Sequence, residues 1–290
     1  MLLLKLKRML LNNEKIVPEI YRPLIYWLYL INPFKETGKV IFPSLENMDP
    51  ILNNLQLNVK DIVLKRSELE AYISQNIHEY WHYFSTGYGK AFVGKAAEHF
   101  VSMQLSNFRE GILIDIAAEL SPFVRVVTKI YPEAEVYQQD LIYKGGIHGF
   151  QIGGNATHLP VDDSSINLMT LHNSIEHFEG NDDSLFVLEC ARVLKKGGEV
   201  IILPVFFKKE PIQYINPTIN PEGLRTDEET RKIYVYSQPR FMRHYSADTF
   251  TKRILRPAQD KFKIELFRIV LLEDFIEKIE LALALRLTRI

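Results

Sequence analysis

The sequence predicts an α/β fold: a mostly parallel sheet of seven strands with helices on both faces, preceded by an N-terminal helical extension. Three observations carry that expectation. After Gly111, short β-branched and aliphatic runs alternate with stretches of helical periodicity, the pattern of a parallel sheet covered on both sides. Small residues and acids recur where those runs end, as in Asp115-Ile116-Ala117-Ala118 and at Asp140. Before about residue 105 the chain is aromatic-rich and reads as helix and loop, which divides it into a region 1–105 and a domain 106–290.

The elements follow in order. Asn32, Pro33, Gly38, Pro43, Asn47 and Pro50 break residues 32–60 into loops. Ser67, Glu68 and Glu70 suit a helix N-terminus, and apolar residues at helical spacing extend that helix towards Phe84. Gly87 and Gly89 interrupt, and a second helix is expected over about 90–105. Ile112, Leu113, Ile114 and Ile116 form the first strand of the sheet, followed by a turn and a helix that Pro122 can open. Val136 to Asp140 is the second strand, and Gly153-Gly154-Asn155-Ala156 is a short strand running into a turn. Ile166 to Leu171 is the fourth. A helix from Asp182 to Leu194 stops at Gly197-Gly198, ahead of a fifth strand from Val200 to Leu203. The insertion at about 206–245, rich in Tyr, Pro and Arg, is long for a connection and so is expected to serve substrate. Ser246 or Asp248 starts a helix through Leu255, and two terminal strands follow, 262–272 and 279–290. In the last strand, alternating Leu281, Leu283, Leu285 and Leu287 predict one buried face.

Composition narrows the function. Thirty-five basic against 36 acidic residues leave a formal charge of -1, so no electrostatic footprint for nucleic acid is expected. The single cysteine, Cys190, rules out an intrachain disulfide and a Cys-rich metal site, and no His/Asp/Glu spacing suggests a metal. With no signal-like start and no apolar run near the roughly 20 residues of a membrane span, the expected location is cytoplasmic. Residues 1–40 hold seven Lys or Arg against three Glu. They suit peripheral contact with an anionic membrane or partner, or a lid or dimerisation helix with a solvated basic face, which would make a homodimer.

The run GNATHLPVDDSSINLMTLHNSIEHF at 154–178 and the run LECARVLKKGGEVIILP at 188–204 resemble class I S-adenosylmethionine-dependent methyltransferases, and RHYSADTFTKRIL at 243–255 adds a weaker likeness. IDIAAELSPF, QQDLIYKGGIHG and SIEHFEG are similar to a subgroup associated with glycan or natural-product biosynthesis. The resemblance covers about 105–290. It implies a Rossmann-like domain, S-adenosyl-L-methionine as cofactor, and methyl transfer to a hydroxyl or amine of a small molecule such as a sugar or secondary metabolite. Asp140 would then accept hydrogen bonds from the ribose hydroxyls, and Asn155 and Ala156 would border the adenine. Asp115 would orient the turn or the methionine amine, Ala117 and Ala118 would keep a close backbone approach, and His172 would complete the cofactor set. His172 and His177 are the candidates for a catalytic base, because imidazole titrates near neutrality. Glu176 either orients a histidine or caps a helix. Tyr214, Tyr236, Arg240, Arg243 and Tyr245 of the insertion are the candidate substrate contacts, able to stack on a ring or bind an acidic group. The chain departs from the family at the first turn, where Ala117, Glu119 and Ser121 stand in place of a Gly-x-Gly-x-Gly pattern. That departure leaves a second reading, a non-catalytic methyltransferase-like binding or scaffold protein.

Overall fold

A computed structural model of the chain describes residues 48–83, 92–219, 222–236, 239–271 and 283–290. The expected contact surface at 1–40, the glycine break at Gly87 and Gly89, and Leu281 lie outside these residues. The elements are α1 (Asp49–Asn53), β1 (Val59–Leu64), α2 (Arg66–Gln75), α3 (Ile77–Tyr83), α4 (Phe92–Leu105), β2 (Ile112–Ile116), α5 (Phe123–Ile130), β3 (Glu135–His148), β4 (Gln151–Gly153) and β5 (Ile166–His172). They continue with a 3-10 turn (Ile175–His177), α6 (Asp182–Val193), β6 (Leu194–Leu203), β7 (Ile212–Ile215), β8 (Arg231–Tyr234), β9 (Phe241–His244), α7 (Ala247–Phe250), a π-helical turn (Thr251–Leu255), α8 (Arg256–Ala258), β10 (Phe262–Leu271) and β11 (Leu283–Arg289).

The main sheet has the order β1-β10-β11-β6-β5-β2-β3-β4. Every neighbouring pair is parallel except those of β11, which runs antiparallel to β10 and to β6. The strand order reverses between β2 and β5, and such a switch point opens a crevice at the carboxyl ends of the strands. The α/β architecture with a mostly parallel sheet is as the sequence led us to expect. The strand number is a correction: among the described residues this sheet has eight, not seven. The eighth, β1, comes from the stretch before residue 105 and pairs with β10 at the sheet edge. Its exposed pair Lys60 and Asp61 suits an edge strand half in water.

Two apolar layers sandwich the sheet. On one side Ile114, Ile116, Met169, Leu171 and Ile202 pack with Phe186, Val187 and Cys190 of α6 and with Phe250 and Ile254. On the other, Leu113, Leu168, Ile201 and Leu203 meet Tyr72, Tyr80, Ala97 and Val101 of α2–α4 and Phe123 and Val127 of α5. The region before residue 105 therefore supplies both a strand and the helices covering one face. Expectation and structure differ in detail elsewhere. The helix from Ser67 breaks at Asn76, whose Nδ2 donates to the Tyr72 carbonyl at 2.9 Å and so competes with the helical ladder. In β11, Ala284 is buried along with Leu283 and Leu285, so both faces are covered there. The insertion is not a bare loop: β8-β7-β9 form a small second sheet.

The outer edge of the sheet carries an unusual turn-back. β3 pairs with β4 over Gln138–Gln151, Gln139–Ile152 and Asp140–Gly153, and its later residues Ile147 and His148 then meet Ile152 and Gln151 in reverse order. Gly153 sits inside this wrap, where a Cβ would lie 2.0 Å from the Lys144 carbonyl oxygen. Only glycine fits there.

Candidate functional site

A cavity of about 300 Å³ opens at the carboxyl ends of β2, β3 and β4. Its floor is Ala117, Gln139, Asp140 and Leu141; Asn155 and Ala156 form one wall, His177, Phe178, Glu179 and Asp182 another, and Arg225 and Arg240 reach in from the insertion. The volume lies at the low end of the range for small-molecule sites.

The floor is stitched together by the end of β3. The Ala117 N–H donates to Oε1 of Gln139 at 3.2 Å, the Ala118 N–H to the Gln139 carbonyl at 2.9 Å, and the Glu119 N–H to Oδ2 of Asp140 at 2.9 Å. The other Asp140 oxygen accepts the Ile142 N–H at 3.1 Å, and the Tyr143 hydroxyl donates to the Glu119 carbonyl. Gln139 Nε2 donates to the Gly154 carbonyl, joining this turn to the next. Ala117 and Glu119 hold φ of +52° and +46°, the left-handed region that glycine enters without a steric cost. The turn thus keeps a glycine-type backbone path without glycines. Beyond it, Gly154 has φ +135° and open space where a Cβ would be. Asn155 uses Oδ1 to accept the Thr157 N–H at 3.0 Å, a local turn bond.

The wall opposite is fixed from behind. Asp183, fully buried, accepts from Nη1 of Arg243 at 2.8 Å, from Nε and Nη2 of Arg253 at 2.8 Å each, and from the Tyr245 hydroxyl at 2.9 Å. Arg243 also donates to the carbonyls of Phe178 and Gly180, both at 3.0 Å, and Arg253 donates to Gly180 as well. In front, two ion pairs tie the insertion to the same loop: Arg225 with Asp182, and Arg240 with Glu179 at 2.9 Å.

Of the residues expected at the site, Ala117, Asp140, Asn155, Ala156, His177 and Arg240 line the one cavity. The others are placed elsewhere. Arg243 and Tyr245, expected to meet substrate, are 2% and 1% exposed and belong to the Asp183 cluster. Tyr214 is buried in the core of the small sheet with Ile233 and Met242. Tyr236 does not line the cavity, and its carbonyl accepts from Asn216. Ala118 is buried beneath the turn.

His172 is also a correction. It follows Leu168 and Thr170 at a two-residue spacing on β5, which turns it to the face covered by α4 and α5. There it is 6% exposed, donates from Nδ1 to Asp115 Oδ1 at 3.0 Å, and meets the Ser102 hydroxyl through Nε2 at 2.8 Å. Asp115 takes the Thr170 hydroxyl on the same oxygen at 2.8 Å, while its Oδ2 is buried without a hydrogen bond. The His99 ring meets that of His172 edge to face with centroids 4.6 Å apart, and burial, then the neighbouring His172 and Lys95, hold its imidazole well below the usual range.

His177 is different, because it faces the cavity. Its Nδ1 lies 2.6 Å from the Phe241 carbonyl, and its Nε2 is 3.7 Å from Oε1 of Glu176. The residues missed from sequence are Gln139, Leu141, Phe178, Glu179, Asp182 and Arg225. Glu179 and Asp182 follow the fourth predicted strand closely enough for its end to have suggested them. Arg225, in an irregular stretch of the insertion, carries no such signal.

Residues 104–202, about a third of the chain, match a family described as a methyltransferase domain. No curated protein matches the sequence. Among solved structures the chain is similar to the PH0226 protein of Pyrococcus horikoshii OT3, at 14% identity and a TM-score of 0.46, covering 72% of this chain and 98% of that one. It is also similar to the YcgJ protein of Bacillus subtilis, at 16% identity and a TM-score of 0.39, covering 59% and 70%. A third is geranyl diphosphate C-methyltransferase from Streptomyces coelicolor A3(2), solved with Mg2+, geranyl-S-thiolodiphosphate and S-adenosyl-L-homocysteine. There the identity is 11%, the TM-score 0.39 and the coverage 67% and 76%.

Proposed function

We propose that this chain is an S-adenosylmethionine-dependent methyltransferase acting on a hydroxyl or amine of a small molecule, a sugar or secondary metabolite of glycan or natural-product biosynthesis, in the cytoplasm. The observation that carries the reading is the cavity at the strand switch point with a carboxylate, Asp140, where the parallel-paired part of β3 ends. The match of residues 104–202 to a methyltransferase domain supports it.

The residues present fit such a cofactor. Each Asp140 oxygen accepts one backbone N–H and so retains a lone pair for a ribose hydroxyl. The open space over Gly154 admits a flat group beside Asn155 and Ala156. Asp115 is 1% exposed and does not line the cavity, so the contact with a methionine amine expected from the sequence is not part of this reading. When bound, S-adenosylmethionine supplies a methyl group activated by its sulfonium. The protein's share is to hold the acceptor in line and to exclude water. Arg240 and Arg225, already paired with carboxylates, shape the acceptor side.

One observation favours the binding-module alternative. The N–H groups of Ala117, Ala118 and Glu119 are all taken by Gln139 and Asp140, so the turn offers fewer donors to a methionine carboxylate. Calorimetric titration with S-adenosylhomocysteine decides between the two, and absence of binding would refute the enzyme reading. Asp140→Asn keeps an acceptor for the turn but removes the charge. It should weaken binding by ~1.5–3 kcal/mol, and unchanged affinity would exclude Asp140 as the ribose contact.

A further inference from the structure

We propose that Glu176 and His177 act as a shared-proton pair beside the cavity, with Nε2 of His177 accepting the proton of a substrate hydroxyl and Glu176 positioning the charge that results. This rests on the methyl-transfer reading, because only there must a hydroxyl be deprotonated.

Two observations on one short turn lead to it. A carbonyl oxygen can only accept, so the 2.6 Å contact to Phe241 makes Nδ1 of His177 the donor. In the neutral ring the lone pair is then on Nε2. The adjacent Glu176 is 1% exposed, and neither carboxylate oxygen has a hydrogen-bond partner. A buried carboxylate without donors is costly, and such a group is relieved by a proton or by a neighbouring cation. The imidazole of His177 is the one basic group within ion-pair distance of it among the described residues, at 3.7 Å.

The surrounding charges do not replace it. Lys95 of α4 is committed to Glu98 at 2.6 Å and to the His172 carbonyl at 3.2 Å. Burial pushes the Glu176 carboxyl up, His177 and then the residue's own backbone N–H draw it back, Glu98 raises it and Lys95 lowers it. From β9, His244 faces His177, and burial, with Lys208 and His177, lowers its value to about 3, so it is neutral. On the cavity side Glu179 and Asp182 are paired with Arg240 and Arg225, and Asp140 holds the turn.

In the step itself the hydroxyl O–H bond breaks as the Nε2–H bond forms. The O–H electron pair stays on oxygen and bonds the methyl carbon, while the pair of the S–CH3 bond leaves with sulfur. The new imidazolium then faces the Glu176 carboxylate. A neutral amine attacks with its own lone pair and needs no base beforehand, so the pair points to a hydroxyl acceptor.

Nuclear magnetic resonance of the full chain tests this without a known acceptor. The His177 ring nitrogens should report the Nδ1–H tautomer. The Glu176 carboxyl carbon should titrate above the ordinary carboxylate range, and further up by about one pH unit or more in His177→Gln, since a charge at this distance is removed. An Nε2–H tautomer, or a Glu176 titration indifferent to His177→Gln, overturns the pair. Glu176→Gln gives an independent reading. A carboxyl raised in the folded state costs stability as pH rises through its value, so this variant should be more stable than the unaltered protein at pH 8. A loss of stability would make Glu176 merely structural and overturn its role. Calorimetry with S-adenosylhomocysteine on the same samples separates the two claims. Binding without coupling overturns the pair alone; coupling without binding removes the methyl-transfer reading and the pair's role with it.

Discussion

Replacing Asp183 with Asn should cost this protein about 3–5 kcal/mol, because it leaves two buried guanidinium groups without their shared counter-charge. Arg243 is 2% exposed and Arg253 8%. In Asp183→Asn one side-chain oxygen survives, but the amide turns two hydrogens towards guanidinium groups that can only donate. The remaining carboxylate, Asp227, lies 3.3 Å from Arg243 and 3.4 Å from Arg253, at the limit of hydrogen bonding, and is partly open to solvent. Against a total stability of about 5–15 kcal/mol, the loss is large. In equilibrium urea unfolding at pH 7 it should lower the midpoint by ~1–1.7 M, taking a slope near 3 kcal/mol/M for a chain of this size. Raising salt from 0.1 to 1 M should not restore it, since buried pairs are poorly screened. Affinity for S-adenosylhomocysteine should fall too, because Arg243 and Arg253 hold the Phe178 and Gly180 carbonyls of the cavity wall. A loss below about 1 kcal/mol would mean that Asp227 suffices, and the clamp argument would fail.

Two further outcomes concern the sheet and the turn. Burial acts to raise the Glu265 carboxyl, but hydrogen bonds from Lys60 and Arg286 prevail and bring it to about 2. Its folded value lies below the unfolded one near 4.5, so its stabilisation is complete above that pH and is lost as pH falls towards 2. With Lys60 half exposed, we expect ~1–2 kcal/mol, read as a flatter acid limb of the pH–stability curve in Glu265→Gln; an unchanged limb would exclude the pairing as a source of acid sensitivity. Ala117→Gly should relieve ~1–2 kcal/mol of left-handed strain and lose ~0.4–1 kcal/mol through the freer unfolded chain, a net gain of up to about 1.5 kcal/mol. Urea unfolding measures it, and a clear loss of stability would show that the φ of +52° at Ala117 carries no strain.

How much of this could be read from sequence depends on the range of the interaction. The strands β2 and β5 were visible as apolar runs, and the strand-end residues Ala117, Asp140, Asn155 and Ala156 meet in one cavity because a parallel sheet aligns the carboxyl ends of its strands. The displacement of His172 was also within reach, since the side-chain alternation that buries Leu168 and Thr170 fixes its face. Arg243 and Tyr245 were not, because their partner Asp183 is about 60 residues away and looks in the sequence like an ordinary first-turn helix acid. β1 escaped notice because an edge strand bonded on one side has only a weak apolar pattern, with Leu64 its one buried residue.

The first turn is where local pattern and tertiary structure part company. In sequence the absent glycines mark a departure that bears on cofactor binding; in the structure Ala117 and Glu119 still follow a left-handed path. What holds them there lies in the next strand of the chain, in the Gln139 side chain and carbonyl and the Asp140 carboxylate, which capture three consecutive N–H groups. A glycine turn needs no such capture, because its backbone has no Cβ penalty to offset. The same bonds that preserve the turn also occupy its donors, so the side chains of β3 have two tasks: shaping the floor and, in the proposed function, holding the ribose. Any ligand seated there must accept a floor whose amides already point at Gln139 and Asp140. Its affinity should then depend more on Asp140 and the open space at Gly154 than on the turn itself.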